Sequence, residues 1–315
     1  MLVGLAAHLN FSVSTAAPEK SAMMVVEAHS GKVLIARNST AKRPVASLTK
    51  IATGVLVTDW AELTGVDLAL QELTVPASAA QLPGPNPMKL VVGERLTLID
   101  ALSSAMMGSD NIAAQALAHH VGREFLVLAE RSGDPVEAFV SEMNELAKAL
   151  EMKKTRFDNP HGLELGKRMG TSTAADMAKL SVYAMRKPAL TFVTRQATRK
   201  VTVNGAQGAR TYQIKNTNTL VSDKIIGLKT GTTRAAGPCL ALGIERPPFV
   251  QSLADDKKAV TPRRLVIVLL NTPNRFQEAK NLILRGWGIY DQWFQAGAVV
   301  RDPKREILHV PDPAS

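Results

Sequence analysis

The chain has 315 residues, with 38 lysines and arginines against 28 aspartates and glutamates, so its formal net charge is +10. An apolar content of 45% excludes a disordered or fibrous chain. The single cysteine, Cys239, excludes an internal disulfide framework and a cysteine-based zinc cluster. The length suits one large domain or two small ones, and the basic balance leaves nucleic acid, an anionic membrane and an anionic polymer open as partners.

The first 20 residues have the pattern of an export signal or a disordered start. Residues 1–17 are apolar, lack lysine and arginine, and end in small residues, as the apolar part and cleavage site of a signal do. No run of about 18 uninterrupted apolar residues occurs, so no membrane-spanning helix is expected. We therefore expect an exported protein of the periplasm or cell envelope.

Hydrophobic periodicity and turn residues divide the rest of the chain into elements. The predicted elements are, in chain order, strands at 21–28 and 32–36, a helix from 48 to about 63, an irregular loop at 77–93, helices at 97–107, 110–121, 135–150 and 173–187, short strands at 200–203 and 212–215, strands at 239–245 and 264–270, and a helix at 276–294.

This order of elements predicts an α+β fold. A strand hairpin, a helix-rich middle, further strands and a final helix are typical of a mostly antiparallel sheet flanked by helices. We expect one domain at 21–296 with a helix-rich inserted subdomain at about 64–195, and a short proline-containing tail at 297–315.

Ser47-Leu48-Thr49-Lys50 lies at the start of the first predicted helix. Residues i and i+3 of a helix share one face, so Lys50 can reach the hydroxyl of Ser47. A serine becomes a good nucleophile when a neighbour accepts its proton, and a lysine can do so if burial lowers its pKa. The pattern S-x-x-K alone is weak, because Ser39–Lys42 matches it too. We interpret that second match as a loop before Pro44.

Ser109-Asp110-Asn111 follows Gly108 between two predicted helices. A turn there can direct one hydroxyl and one amide into a cleft, where the hydroxyl relays a proton and the amide binds a peptide group. Taken alone, the motif is better explained as a cap of the next helix by Ser109 or Asp110.

Lys229-Thr230-Gly231-Thr232 lies on a predicted strand edge. Lysine and threonine beside a glycine can hold a carboxylate, because glycine permits close backbone approach. The alternative is an edge strand with exposed polar residues.

The combination is stronger than its parts, since S-x-x-K, S-x-N and K-T-G occur in the order found in serine β-lactamases and penicillin-binding proteins. With N-P-H-G-L at 159–163 and A-G-P-C-L at 236–240, the chain closely resembles the serine-type D-alanyl-D-alanine carboxypeptidases, which are low-molecular-mass penicillin-binding proteins. The resemblance covers about residues 22–294. It implies a β-lactamase/transpeptidase-like fold and a D,D-peptidase catalytic domain at 21–296, without metal or organic cofactor.

The resemblance also implies catalytic roles. Ser47 is the acylated nucleophile, Lys50 its general base, and Ser109 the group that carries the proton to the leaving D-alanine with help from Lys229. The implied substrates are peptidoglycan stem pentapeptides, from which the terminal D-alanine is removed, and β-lactams are implied covalent inhibitors.

Substrate binding is implied for the remaining motif residues. Asn111 holds the substrate amide, while Lys229, Thr230 and the adjoining Gly231 form the site of the terminal carboxylate. The backbone N–H groups of Ser47 and Thr232 form the oxyanion hole.

Several alternatives stay open. A D,D-endopeptidase uses the same motifs on crosslinked peptidoglycan, and a non-catalytic wall-binding protein keeps the fold. A β-lactamase is less favoured because no E-x-x-L-N motif occurs in the middle segment. Nucleic acid is not expected as a partner, since aromatic residues are sparse and no recognised binding motif occurs.

The chain departs from many relatives in two respects. They continue into a C-terminal β domain and an amphipathic anchor, whereas fewer than twenty residues follow 296 here, so we do not expect anchoring by that route. Many also place an arginine near the carboxylate pocket. Arg275 is the candidate here, and the sequence does not assign it.

Other features receive plainer interpretations. His119 and His120 are adjacent and point apart on a helix, which disfavours a metal pair. His161 is interpreted as fixing a turn and Cys239 as a small buried apolar residue. The segment 177–222 has eight basic residues and no acidic one. We expect it to be a solvated face, or one that favours peripheral association with an anionic wall or membrane.

Overall fold

The computed structural model describes residues 21–80, 82–166, 169–252 and 257–313. The expected export signal at 1–20 lies outside these residues and stays a prediction. Within the described ranges, no helix combines the length and the apolar composition that a membrane crossing requires.

Nine strands and eight α-helices form in the described part of the chain. They are β1 (Ala22–Glu27), β2 (Val33–Arg37), α1 (Lys50–Thr64), β3 (Glu72–Thr74), β4 (Arg95–Thr97), α2 (Leu98–Met107), α3 (Asn111–Leu128), α4 (Pro135–Ala149), α5 (Ala174–Ala184), α6 (Pro188–Thr194), β5 (Thr198–Gly205), β6 (Gly208–Lys215), β7 (Ile225–Thr233), β8 (Gly237–Ser252), β9 (Lys258–Leu270), α7 (Arg275–Gln295) and α8 (Pro303–Glu306). Short 3-10 turns lie at Ala46–Thr49 and Ala77–Ala79.

The main sheet joins both ends of the domain. The predicted hairpin of β1 and β2 forms, with Val25 opposite Ile35, and β1 also pairs with β9, with Val25 opposite Ile267. The five strands are antiparallel in the order β2-β1-β9-β8-β7. Strand β7 is therefore at an edge, and its outer side faces the 3-10 turn at Ala46–Thr49.

Helices cover both faces of the main sheet. Leu242 and Ile267 pack with α7 on one face, whereas Ala241 and Val268 belong to the larger core on the other face, which α1 and α5 help to build. A strand buried on both faces has no polar side to present. This explains why β1 reads as an almost continuous apolar run with all six residues buried.

A second antiparallel sheet, in the order β3-β4-β5-β6, is not expected from the sequence, although its strands β5 and β6 are. Strands β3 and β4 have three residues each, which is too short for a recognisable period, and a single pair, Leu73 opposite Leu96, is buried in them. Strands β5 and β6 extend beyond the predicted 200–203 and 212–215, because backbone pairing continues through exposed polar residues up to Gly205 and Gly208.

Strands β8 and β9 are also longer than predicted. Beyond Glu245 and before Arg264 they continue as a paired ribbon whose residues are mostly exposed, with a bulge between Arg246 and Phe249. The hydrophobicity pattern does not predict this extension, because it contains Pro247-Pro248 and has no buried face.

The helices agree better with their predictions. Helix α2 begins where the pattern places it, because the side chain of Thr97 accepts a hydrogen bond from the backbone N of Asp100 at 3.3 Å and so caps the helix. Helix α3 continues beyond its predicted end at 121 to Leu128. Helix α6, seven residues that begin at Pro188, is not predicted because two turns carry little periodic signal.

The acid-free segment 177–222 is not a free basic surface. Six of its eight basic side chains lie in ion pairs with acids from elsewhere in the chain. The pairs are Lys179–Glu151, Arg186–Asp312, Lys187–Asp59, Arg195–Glu245, Arg199–Asp100 and Arg210–Glu94. Lys200 and Lys215 are exposed, with no ion pair to another described residue. Tertiary folding thus supplies the acids that this stretch of sequence lacks.

Candidate active site

The S-x-x-K residues lie in the 3-10 turn and the first residue of α1. Ala46 adopts a left-handed conformation with φ +50, which is uncommon for a non-glycine residue and is typical of constrained functional turns. Ser47 follows, half-buried, and Lys50 Nζ lies 3.2 Å from its Oγ. The sequence predicted this contact along a helix; the structure makes it across the turn that precedes the helix. Ser39 and Lys42 lie in a loop, as expected.

Lys50 is fully buried among neutral oxygen atoms. Its Nζ donates to Asn111 Oδ1 at 2.6 Å and to the carbonyl of His161 at 2.9 Å, besides its contact with Ser47. Burial lowers the pKa of Lys50 to about 7, and the nearby Asp110 opposes this shift. A substantial fraction of Lys50 is therefore a free amine near neutral pH, able to accept a proton from Ser47.

The S-x-N residues form the turn between α2 and α3. Asp110 is the cap, because its Oδ1 accepts from the backbone N of Ala113 at 3.0 Å, while its Oδ2 accepts from Ser104 Oγ at 2.9 Å. Ser109 precedes it in a left-handed conformation with φ +61. Of the two residues that the sequence offered as the cap of α3, Asp110 is therefore the cap. Ser109 lies in the left-handed turn just before it.

Asn111 is held on two sides. Its Oδ1 accepts from Lys50, and its Nδ2 donates to the carbonyl of Pro83 at 2.7 Å. An amide nitrogen carries two hydrogens, so one of them remains for a substrate carbonyl.

The predicted irregular loop therefore contributes to the site. Besides the Pro83 carbonyl, the Pro85 carbonyl accepts from the backbone N of Asn111 at 2.9 Å. Gly84, at φ +93, lies so close that a Cβ on it would be 2.6 Å from Asn111 Nδ2. Sequence patterns did not reveal this role, since backbone carbonyls carry no residue-specific signal.

The K-T-G residues lie on the edge strand β7, as predicted. A Cβ at Gly231 would lie 2.8 Å from the backbone N of Ser47, so glycine is what permits the strand to approach the nucleophile. Lys229 is buried, and its Nζ donates to the Thr230 carbonyl at 2.8 Å. Burial, with the positive charges of Lys50 and Arg275, lowers the pKa of Lys229 well below its usual value.

Two hydroxyl groups and one guanidinium lie on the face of β7 opposite to the side chain of Lys229. Thr230 and Thr232 are two residues apart and therefore share that face. Arg275, the first residue of α7, donates from Nη1 to Thr232 Oγ1 at 2.9 Å and to the Gly231 carbonyl at 2.7 Å. The arginine that the sequence could not assign is thus brought to the K-T-G strand, and it forms a cationic end to the site.

The N-P-H-G-L segment fixes the third acceptor of Lys50. Asn159 Oδ1 accepts from the backbone N of His161 at 3.2 Å and of Gly162 at 2.6 Å, and Leu163 donates from its backbone N to His161 Nδ1 at 3.1 Å. A Cβ at Gly162 would lie 2.0 Å from the Ala46 carbonyl. The imidazole thus serves the turn, as the sequence suggested, and burial beside Lys50 lowers its pKa to about 3.

These groups together can carry out acyl transfer. A half-buried hydroxyl, a buried amine of lowered pKa, a second serine and backbone N–H groups are the kinds of group that serve as nucleophile, base, proton relay and anion stabiliser in acyl transfer. Within the described residues, all eight predicted site residues lie on the three segments that converge here.

Solved structures share the fold. The Streptomyces K15 DD-transpeptidase superposes with a TM-score of 0.70 at 24% identity, covering 84% of this chain and 96% of that one. Penicillin-binding protein D2 from Listeria monocytogenes, in its cefotaxime-bound form, has a TM-score of 0.65 at 24% identity over 84% of this chain and 96% of that one. The predicted α+β, transpeptidase-like class is confirmed.

The sequence then defines the family. The profile of the S11 peptidases, the D-alanyl-D-alanine carboxypeptidases, matches residues 10–245, and the chain belongs to this family.

Curated relatives divide between two activities. D-alanyl-D-alanine endopeptidases of Pseudomonas aeruginosa and Escherichia coli are 32% and 30% identical over 224 residues, which is 70% of this chain and 65% of each relative. A D-alanyl-D-alanine carboxypeptidase of Bacillus subtilis is 30% identical over 236 residues, 74% of this chain and 56% of that relative. The chain thus spans less than two thirds of the length of these relatives.

Proposed function

We propose that this protein is a serine D,D-carboxypeptidase that removes the terminal D-alanine from peptidoglycan stem pentapeptides. The observation that carries the proposal is the contact between Ser47 and a buried Lys50 that has only neutral hydrogen-bond partners. This is the environment that turns a lysine into a base and a serine into a nucleophile. Family membership supports the D-Ala–D-Ala bond as the target.

Acylation begins when Ser47 Oγ attacks the carbonyl carbon of the penultimate D-alanine and Lys50 accepts the hydroxyl proton. The oxyanion is stabilised by the backbone N–H groups of Ser47 and Thr232. Ser109, aided by Lys229, relays this proton from Lys50 to the nitrogen of the leaving D-alanine as the C–N bond breaks. Water then attacks the ester carbonyl and gives one proton to Lys50, which passes it to Ser47 Oγ as the acyl–oxygen bond breaks and the shortened peptide leaves.

Substrate binding uses the second and third motifs. The free hydrogen of the Asn111 amide binds a peptide carbonyl of the stem. The hydroxyls of Thr230 and Thr232, with the guanidinium of Arg275, bind the terminal carboxylate. An arginine beside two hydroxyls is a suitable partner for a carboxylate, because its planar donors match the two oxygens.

A penicillin tests the proposal directly, since a β-lactam acylates the nucleophile of such a site. Mass spectrometry of the intact protein should show one added penicillin, and Ser47→Ala should abolish both this adduct and D-alanine release. Ser39→Ala is the matched control, because Ser39 belongs to the other S-x-x-K sequence and lies in a loop. An adduct that persists in Ser47→Ala would overturn the assignment.

D,D-endopeptidase activity on crosslinks is the second candidate. A hollow of about 390 Å³ continues from the carboxylate end of the site. It is lined by Thr232, Pro238, Pro273, Asn274, Arg275, Phe276 and Gln277. A single leaving D-alanine does not need this space, whereas the second stem peptide of a crosslink does. The two endopeptidase relatives are consistent with such a use.

Purified muropeptides separate these two activities. Carboxypeptidase action releases free D-alanine, and endopeptidase action converts crosslinked dimers to monomers. If the hollow holds the second peptide, Gln277→Trp should slow dimer cleavage while sparing D-alanine release. Leu284→Trp, at an exposed position two turns further along α7 and outside the hollow, should change neither activity.

The proposed reaction places the protein at the cell envelope, where its substrate is found. Export through residues 1–20 and peripheral association with the wall or membrane belong to this proposal. Cleavage of the signal can be read from the mass of the mature protein in the same penicillin experiment.

A further inference from the structure

The connection between β6 and β7 holds one threonine in a fixed position beside the K-T-G strand. Asn216 Nδ2 donates to the carbonyls of Thr194 and Gln196, at 3.2 and 3.0 Å. Asn218 Nδ2 donates to the Gly227 carbonyl at 3.2 Å. These two asparagines anchor the backbone on either side of Thr217 through their side chains.

The backbone of Thr217 is also tied to the second motif. Its N–H donates to the carbonyl of Met107 at 2.9 Å, and Met107 lies two residues before Ser109. The side chain of Thr217 is exposed at the site, and its Oγ1 lies 2.7 Å from Thr230 Oγ1, in a residue that is 4% exposed. Thr217 therefore connects the turn that bears Ser109 with the strand that bears Thr230.

We infer that Thr217 is a positioning residue for the substrate carboxylate, acting through Thr230. A hydroxyl has one hydrogen, and a carboxylate can only accept. If Thr230 donates to the carboxylate, as the proposed function requires, it cannot also donate to Thr217. Thr217 must then be the donor to Thr230. With substrate bound, Thr217 therefore donates to Thr230, and Thr230 donates to the substrate carboxylate.

This direction strengthens the contact with the anion. Hydrogen bonds in a chain polarise one another, and a hydrogen bond to a charged acceptor is stronger than one between neutral groups. Without Thr217, the Thr230 hydroxyl is no longer held toward the carboxylate. Thr217 thus determines affinity for peptides that end in a free carboxylate, while the chemistry at Ser47 is left as it was.

Steady-state kinetics with an N-acylated D-Ala–D-Ala peptide tests the inference. Thr217→Val keeps the shape and removes the hydroxyl, so KM should rise about 3- to 10-fold, the range for loss of one hydrogen bond, with kcat within twofold. Thr217→Ser restores the hydroxyl and should restore KM. Thr219→Ala, at an exposed position two residues along the same connection, is the matched control and should leave KM unchanged.

A second ligand distinguishes positioning from a structural effect. The C-terminal carboxamide of the same peptide has no carboxylate, so its inhibition constant as a competitor should be equal for Thr217→Val and the unmodified protein. Equal weakening of both ligands, failure of Thr217→Ser to restore KM, or an unchanged KM in Thr217→Val would overturn the inference. Absence of D-alanine release from the unmodified protein would instead overturn the proposed function, and this inference with it.

Discussion

Two well-buried lysines, Lys50 in the active site and Lys187 at the start of α6, show how partners decide what a buried cation does. Among the described residues, Lys50 Nζ forms hydrogen bonds to neutral oxygen atoms only, and burial lowers its pKa to about 7. Lys187 lies 2.5 Å from Asp59 and 2.8 Å from Glu62. Although burial opposes it, these carboxylates raise the pKa of Lys187. One lysine can act as a base, and the other fixes α1 to α6.

Asp110 explains why Lys50 lacks an effective counter-charge. Both oxygens of this buried carboxyl are occupied, by the backbone N of Ala113 and by Ser104 Oγ. Burial also raises the pKa of Asp110 itself. Asp110 is therefore engaged in the α3 cap, whereas two carboxylates bind Lys187 directly, and this difference in hydrogen bonding separates the pKa values of the two lysines.

The largest expected effect separates the two lysines by activity. Lys50→Met removes the base, so acylation of Ser47 by penicillin should slow by roughly 10²- to 10⁴-fold, the usual contribution of general base catalysis. Lys187→Met should leave the rate within about threefold, because Lys187 contacts no active-site group. Stopped-flow measurement with a fluorescent penicillin compares both. A slowing of less than about tenfold in Lys50→Met would remove Lys50 from the proposed role.

The pH dependence sharpens the same comparison. Lys50 accepts a proton only as the free amine, whose fraction rises with pH, reaches one half at its pKa of about 7 and approaches completeness above it. The acylation rate should therefore rise about tenfold per pH unit below that value and level off above it. Asp110→Asn keeps a cap oxygen but removes the acid that raises this pKa, so the midpoint should move to lower pH. A midpoint near the ordinary lysine value would contradict the assignment.

The free energy of unfolding should depend on Lys187, whose substitution is expected to spare the acylation rate. Lys187→Met leaves Asp59 and Glu62 without their shared cation, and the cost should be about 1–3 kcal/mol of unfolding free energy. Lys200→Met, at an exposed position without an ion pair among the described residues, should stay within about 0.5 kcal/mol. Urea unfolding at constant pH measures both. Partial recovery in the double variant Lys187→Met/Asp59→Asn would attribute the loss to the uncompensated carboxylate.

The smallest effect concerns binding to the wall. Arg195 and Arg199 lie in ion pairs, so of the eight basic residues of the segment 177–222 only Lys200 and Lys215 have no ion pair to another described residue. Lys200→Glu should weaken binding to isolated sacculi at low salt by at most about fivefold, equivalent to ~1 kcal/mol. Arg195→Glu should lower stability more than binding. A large loss of sacculus binding in Arg195→Glu would restore the basic segment as a wall contact.

The sequence predicted much of the fold and the motif residues of the site. Strong periodicity located the first hairpin, α1, α2 and the apolar halves of β8 and β9, because burial determines residue type there. It did not reveal β3, β4, α6 or the exposed ribbon, where elements are short or are held by backbone pairing. It likewise missed the carbonyls of Pro83 and His161, since any residue type can supply a carbonyl.

By itself, the sequence determined which side chains are able to do chemistry, because the order and spacing of three short motifs specify hydroxyl, amine, amide and glycine. Only the tertiary structure decided their states. Burial among neutral oxygens makes Lys50 a base, and packing of α7 against the sheet brings Arg275 to the carboxylate end. The tertiary structure also decides where the positive charge of the chain is exposed, because long-range ion pairs neutralise most of the basic segment 177–222. Protonation and pairing depend on neighbours in space, and those neighbours come from distant parts of the chain.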